Sequence, residues 1–202
     1  LLIHFDEKMC KENIMGLLIS GVLLWSVMHF LPAGAGGLRS SVVGSIGEGP
    51  WKGLFSLALL LSIALIVMGW RAIVPVPVYT PPGFGAVLVT PLMILAVVLL
   101  GAANAKTNLK RYIRHPMLTG VAVWAAAHLL TNGDDRSVVL FGGLGLWALI
   151  MILFINKRDG AAEDVEKYPV AGEIKLLAIS AIVFIVLVIA HPYFAGVSPL
   201  AG

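Results

Sequence analysis

The sequence predicts an all-α integral membrane bundle of about six transmembrane helices, and three observations predict it. Hydrophobic residues make up 59% of the 202 and charged residues 12%, against about 25% charged in an average soluble domain. Mean hydropathy is +0.95. Charge-free stretches recur at lengths near the ~20 residues that one spanning helix needs. These stretches are apolar all round, whereas the strands of a membrane barrel would alternate polar and apolar residues.

Other classes fall to the same inventory. One cysteine, Cys10, excludes an intramolecular disulfide framework. The net charge of +3 could point to nucleic acid, but no basic patch carries interleaved aromatics. In a membrane protein such an excess reflects Lys and Arg in cytoplasmic loops.

Taken in order, residues 1–13 mix charges with an isolated His4 and Cys10 and are expected to form an N-terminal tail. The transmembrane domain then occupies 14–202. They carry no evident signal-peptide cleavage site. Helices are expected near 14–36, 53–72, 84–105, 116–132, 137–156 and 174–191. The apolar run after Arg71 is too long for one span and holds Pro75, Pro77, Pro81, Pro82 and Gly83. Proline removes a backbone donor and biases the preceding residue away from helix, so 75–83 is expected to be a loop or interfacial turn. With six spans, ten of the fourteen basic residues fall on one side of the membrane. The bias in Lys and Arg marks that side as cytoplasmic and places both termini opposite, in a multi-pass membrane protein.

Ionisable side chains within the spans are few, and histidine dominates them. An ionisable group in hydrocarbon costs a few kcal/mol and is therefore a candidate for function. His29 and His128 share a frame. The first helix reads Gly21-x-x-x-Trp25-x-x-x-His29 and the fourth Gly120-x-x-x-Trp124-x-x-x-His128. Steps of four put the three residues of each frame on one helix face. The glycine would lower the surface, the tryptophan would offer a flat wall, and the imidazole could project into the gap. That suits a planar macrocycle with axial histidine, as in haem ligation. The alternative is ordinary packing of small and aromatic residues between membrane helices.

Depth is a partial check. Counted from Met15, His29 lies about 21 Å into the membrane and about 9 Å from the cytoplasmic edge. His128, counted from Pro116, lies about 18 Å from that edge. The offset of about 9 Å would strain a shared iron, although tilt can absorb much of it. Depth does not decide between His128 and His115, which lies nearer the cytoplasmic edge.

Lys110-Arg111-Tyr112-Ile113-Arg114-His115-Pro116 precedes the fourth helix, with proline at its favoured first position. Lys106, Lys110 and Arg111 are expected to be positive-inside anchors. Arg114 and His115 have the better claim to a site, and Arg39 on the same side could pair with a haem propionate. Asn132-Gly133-Asp134-Asp135 is expected to be a turn with solvated aspartates. The charged run from Arg158 to Tyr168 is expected to be a solvated loop. The chain shows no Ser–His–Asp set, phosphate-cradling glycine loop or metalloprotease spacing, which excludes hydrolase and nucleotide-dependent classes.

Four segments carry a family resemblance: Gly47-Glu48-Gly49-Pro50-Trp51-Lys52-Gly53-Leu54-Phe55-Ser56-Leu57; Arg114-His115-Pro116-Met117-Leu118-Thr119-Gly120 continuing to Trp124; Ala127-His128-Leu129-Leu130-Thr131-Asn132-Gly133-Asp134; and His191-Pro192-Tyr193-Phe194-Ala195-Gly196-Val197-Ser198-Pro199. Together they resemble the NnrU family of bacterial membrane proteins, from about Met15 to the C-terminus. That family is associated with denitrification and nitric oxide metabolism. It is similar in turn to zeta-carotene isomerase, a membrane enzyme that depends on haem b and histidine ligation. The resemblance implies haem b with His29 and His128 as its axial pair. It also implies a partner that is either a hydrophobic polyene or a respiratory protein, besides membrane lipid. In the isomerase version an axial histidine gives way to the substrate's double bond.

Arg114-His115-Pro116…Gly120…Trp124 also resembles the start of the cofactor motif of isoprenylcysteine carboxyl methyltransferases. That resemblance implies S-adenosylmethionine at the membrane edge, with Glu163-Asp164…Tyr168 as the counterpart acidic stretch. A non-catalytic accessory subunit of a respiratory complex is a third expectation.

Overall fold

The computed structural model describes the backbone of residues 2–34, 36–161 and 166–199, with side chains from residue 14 onward except at 34, 36 and 38. The fold is all-α, as expected. In chain order the helices are α1 (Leu2–Gly34), α2 (Gly36–Ile46), α3 (Glu48–Ala72), α4 (Gly85–Ala102), α5 (Pro116–Leu129), α6 (Asp135–Asp159) and α7 (Val170–Ala195). A short 3₁₀ turn, Asn108–Arg111, lies between α4 and α5. A π-helical stretch, Val138–Gly142, interrupts α6.

Among the described residues, five helices are long and apolar enough to cross a membrane: α1 over Ile14–Ala33, α3, α4, α6 and α7. The chain is a multi-pass membrane protein. The sixth expected span, α5, is apolar but has only 14 residues. At ~1.5 Å per residue it rises about 21 Å, short of a ~30 Å hydrocarbon core. Its C-terminal carbonyls are taken up early, which explains the stop at Leu129. The single Tyr79 hydroxyl proton is shared between the carbonyls of Leu129 and Asn132, and the Asn132 amide side chain donates back to His128 O at 2.9 Å.

Several boundaries differ from the expected ones. Helix α3 starts at Glu48 rather than near 53, because a charge-free window measures the hydrocarbon crossing and a helix can run past it. The expected first loop contains α2. Its polar sequence gives no apolar run to signal a helix. Instead Ser41 and Ser45 donate to carbonyls four residues back, at 3.0 and 2.9 Å. The proline-rich stretch after Ile73 is non-helical, as expected, up to the turn that leads into Gly85. The backbone of 2–13 is the first part of α1. The side chains of His4 and Cys10 lie outside the described residues, as do Glu163 and Asp164.

The chain divides into two compact units. One comprises Leu1–Val78 with Asp134–Gly143, the other Tyr79–Gly133 with Leu144–Gly202. In the first unit α1 packs on α3 through glycine. A Cβ on Gly21 would lie 2.8 Å from the Ile66 side chain and amide, and one on Gly69 would lie 2.7 Å from the Leu18 amide. Leu18 and Ser62 are fully buried there. In the second unit α4 is the centre, with Leu99 and Ala102 buried. Helix α5 approaches it at Gly120, whose Cβ would be 3.1 Å from Ala96 O, and α7 approaches at Gly101, 3.0 Å from Leu176. Small residues at such crossings let helices meet closely where no hydrophobic effect drives them together.

Candidate functional site

The two helix histidines adopt the same local geometry. In His29, Nδ1 lies 2.8 Å from the Trp25 carbonyl; in His128, it lies 2.9 Å from the Trp124 carbonyl. A carbonyl can only accept, so each Nδ1 carries a proton, and in the neutral imidazole the lone pair is then on Nε2. Metal-ligating histidines are oriented in this way, one ring nitrogen held by a backbone carbonyl and the other turned into the ligand. The tryptophan of each frame also flanks its histidine ring, with centroids 4.4 Å apart for Trp25–His29 and 5.1 Å apart for Trp124–His128. The Trp-x-x-x-His step is therefore an orienting device contained within one helix.

The glycines of the two frames do something else. They were expected to open a gap beside the histidine. Instead the Gly21 surface is filled by Ser62 and Ile66 of α3, and the Gly120 surface by Ala96 and Leu100 of α4. Both are helix-crossing points, and the close approach they allow leaves no cleft at the glycine itself.

His29 sits in the first unit with an aromatic neighbour from α3 that the sequence reading did not single out. Phe55 meets the imidazole edge-on at 6.0 Å, and Trp51 lies 6.2 Å from Phe55. Both belong to the segment that carries the family resemblance. Arg39 forms an ion pair with Glu48 at 3.6 Å, and Lys52 meets the same carboxylate at 3.2 Å.

His128, Trp124, Arg114 and His115 belong to the second unit. Arg114 and His115 converge on one acceptor: Asn156 Oδ1 receives Arg114 Nη1 at 3.0 Å and His115 Nε2 at 2.8 Å. Arg114 Nη1 also donates to Gly160 O at 2.6 Å. Gly160 closes α6 with φ +70, a conformation that glycine alone adopts at low cost. Because Nε2 of His115 donates to Asn156, its lone pair lies on Nδ1, the reverse of His29 and His128. His191, near the end of α7, is set as His29 and His128 are, with Nδ1 donating to Val197 O at 2.7 Å.

The loop carrying Arg114 is fixed at its other end too. Glu173 receives the Thr107 hydroxyl at 2.6 Å and the Asn108 amide at 2.6 Å. An open cavity of about 380 Å³ is lined by Lys110, Arg114, His115 and the start of α5. Lys110 was expected to be a surface anchor; it is half-buried in the cavity wall, whereas Lys106 and Arg111 are exposed.

The expectation of solvated aspartates at 134 and 135 is corrected. Asp134 is 20% exposed and caps α6, taking the Ser137 amide at 3.0 Å and its hydroxyl at 2.7 Å. Asp135 accepts the Val76 amide at 3.0 Å, and its own amide donates to Val76 O at 2.9 Å. Arg136 pairs with Asp134 at 3.7 Å, lies over the Trp70 ring at 4.3 Å and donates to the Trp70 carbonyl at 2.9 Å. Among the described residues no group of three or more His, Cys, Asp or Glu is placed to hold a metal ion.

No curated protein and no solved structure matches the chain significantly. A family model does match, that of the NnrU protein, over residues 17–199. This range takes in both histidine frames, the Arg114–His115 loop and all but the first turns of the helical domain, and the chain belongs to the NnrU protein family.

Proposed function

We propose that this protein binds haem b in the bacterial inner membrane through His29 and His128, and that it serves nitrogen-oxide metabolism or the isomerisation of a polyene lipid. The observation that carries the reading is the shared tautomer. Both rings donate Nδ1–H to the carbonyl four residues back, so both hold their lone pair on Nε2. Among the ring nitrogens, Nε2 is the one such a hydrogen bond makes more basic. His115 is set the other way, with Nε2 spent on Asn156.

The donor chemistry fits the group. Two neutral imidazoles are an established axial set, and an iron porphyrin would supply redox chemistry and an exchangeable axial position. The chain's own residues orient the rings and keep the surroundings apolar: Trp25 and Phe55 beside His29, and Trp124 beside His128. An apolar surround limits water access and is one lever on the potential of a bound iron.

The full-length protein, expressed with haem supplied and purified in detergent, is expected to show a Soret band that shifts on reduction. A preparation without that band overturns the proposal. With the band present, nitric oxide and a polyene can be added in turn to the reduced protein. A spectral change with one and not the other decides between the two roles.

A further inference from the structure

The four cations between α4 and α5 fall into two sets. Lys106 and Arg111 are exposed, whereas Lys110 and Arg114 are half-buried and line the cavity of about 380 Å³ together with His115. That volume lies within the range of ligand sites. The cavity wall is held from two directions. Asn156 and Gly160 at the end of α6 fix Arg114 and His115, and Glu173 at the start of α7 fixes Thr107 and Asn108.

Among the described residues no carboxylate hydrogen-bonds or ion-pairs with Arg114 or Lys110. Both acceptors on Arg114 Nη1 are neutral amide oxygens, and among the described residues Lys110 has no hydrogen bond or ion pair. Asp159 lies within electrostatic range of Arg114 and His115 and offsets part of the wall's charge, while its direct contacts are with Arg158, at 2.6 and 3.1 Å. A guanidinium fixed at one edge keeps its remaining N–H groups for a second partner.

We infer that this cavity binds a phosphate oxyanion. A guanidinium fork and an ammonium side by side are the pairing that phosphate oxygens recognise. The place favours a lipid source. The cavity lies where one apolar helix, α4, ends and another, α5, begins, and basic pockets between membrane helices hold anionic headgroups. Free phosphate shares the chemistry and is the other source.

The test uses the full-length protein in detergent, with phosphatidylglycerol retention read by native mass spectrometry. The wild type is expected to keep a bound phosphatidylglycerol. Lys110→Glu, which removes one charge-assisted contact and puts a like charge beside the phosphate, should cut that retention at least about tenfold. Lys106→Glu makes the same charge change on the same loop outside the cavity and should leave retention within about twofold. Equal thermal unfolding of both variants and the wild type checks that the fold is kept; if Lys110→Glu unfolds early, Lys110→Gln replaces it. Displacement of the lipid from the wild type by millimolar inorganic phosphate assigns the site to free phosphate. Equal loss in both variants, or no retention by the wild type of either lipid or phosphate, overturns the inference. So does S-adenosylmethionine displacing the lipid where inorganic phosphate does not.

Discussion

Asn108 pairs with the main chain of Tyr168 at both ends of its amide. Its Nδ2 donates to Tyr168 O at 2.8 Å, and its Oδ1 accepts the Tyr168 amide at 2.9 Å, across 60 residues of sequence. The same Nδ2 also reaches Glu173 Oε1 at 3.1 Å. One short side chain thus ties the loop after α4 to the entry of α7, beside the cationic cavity.

Asn108→Ala removes all three of these bonds and leaves half-buried backbone groups without partners. The expected cost is about 2–3 kcal/mol. Tryptophan fluorescence during thermal unfolding in detergent is the measurement. A midpoint equal to that of the wild type would show that water replaces the side chain at no cost.

Glycines at close approaches should behave unlike glycines in open space. A Cβ on Gly133 would lie 2.0 Å from Tyr79 O, whereas nothing lies within 4 Å of one on Gly53. Gly133→Ala is expected to lose more than about 2 kcal/mol, because backbone must move. Gly53→Ala, inside α3, is expected to gain up to about 1 kcal/mol from helix propensity alone. Parallel unfolding curves compare the two, and a Gly133→Ala protein as stable as the wild type contradicts the packing described.

Asp134→Ala removes the cap of α6 and one partner of Arg136. A cost of about 1–2 kcal/mol is expected. Asp134→Asn keeps an acceptor for the Ser137 amide and should retain most of that stability. If both substitutions are neutral in a denaturation series, the aspartate is not a cap.

The histidines separate by tautomer. His29→Ala and His128→Ala are each expected to abolish or convert the low-spin haem spectrum, whereas His115→Ala leaves it in place. A spectrum that survives in His29→Ala and disappears in His115→Ala would reassign the ligands.

Much of this was legible locally. The apolar runs announced the helices, the prolines from Pro75 to Pro82 announced the break before α4, and Pro116 announced the start of α5. The histidine frames could also be read in advance, because Trp25–His29 and Trp124–His128 lie one helical turn apart and helix geometry alone brings them together. Two features left no local signal: α2, which has no apolar run, and the C-terminus of α5, which is closed by Tyr79 some fifty residues upstream.

The sequence by itself determined that this chain is helical, that it lies in a bilayer, where its proline break falls and which histidines are set in matched frames. Each of these follows from composition or from neighbours within four residues. The tertiary structure alone decided that Gly21 and Gly120 are crossing points, that Asp134 is a cap, that Lys110 lines a cavity, and that Asn156 and Glu173 hold the loop behind it. Those roles depend on partners up to 66 residues away along the chain, and a contact between distant residues leaves no periodicity to read.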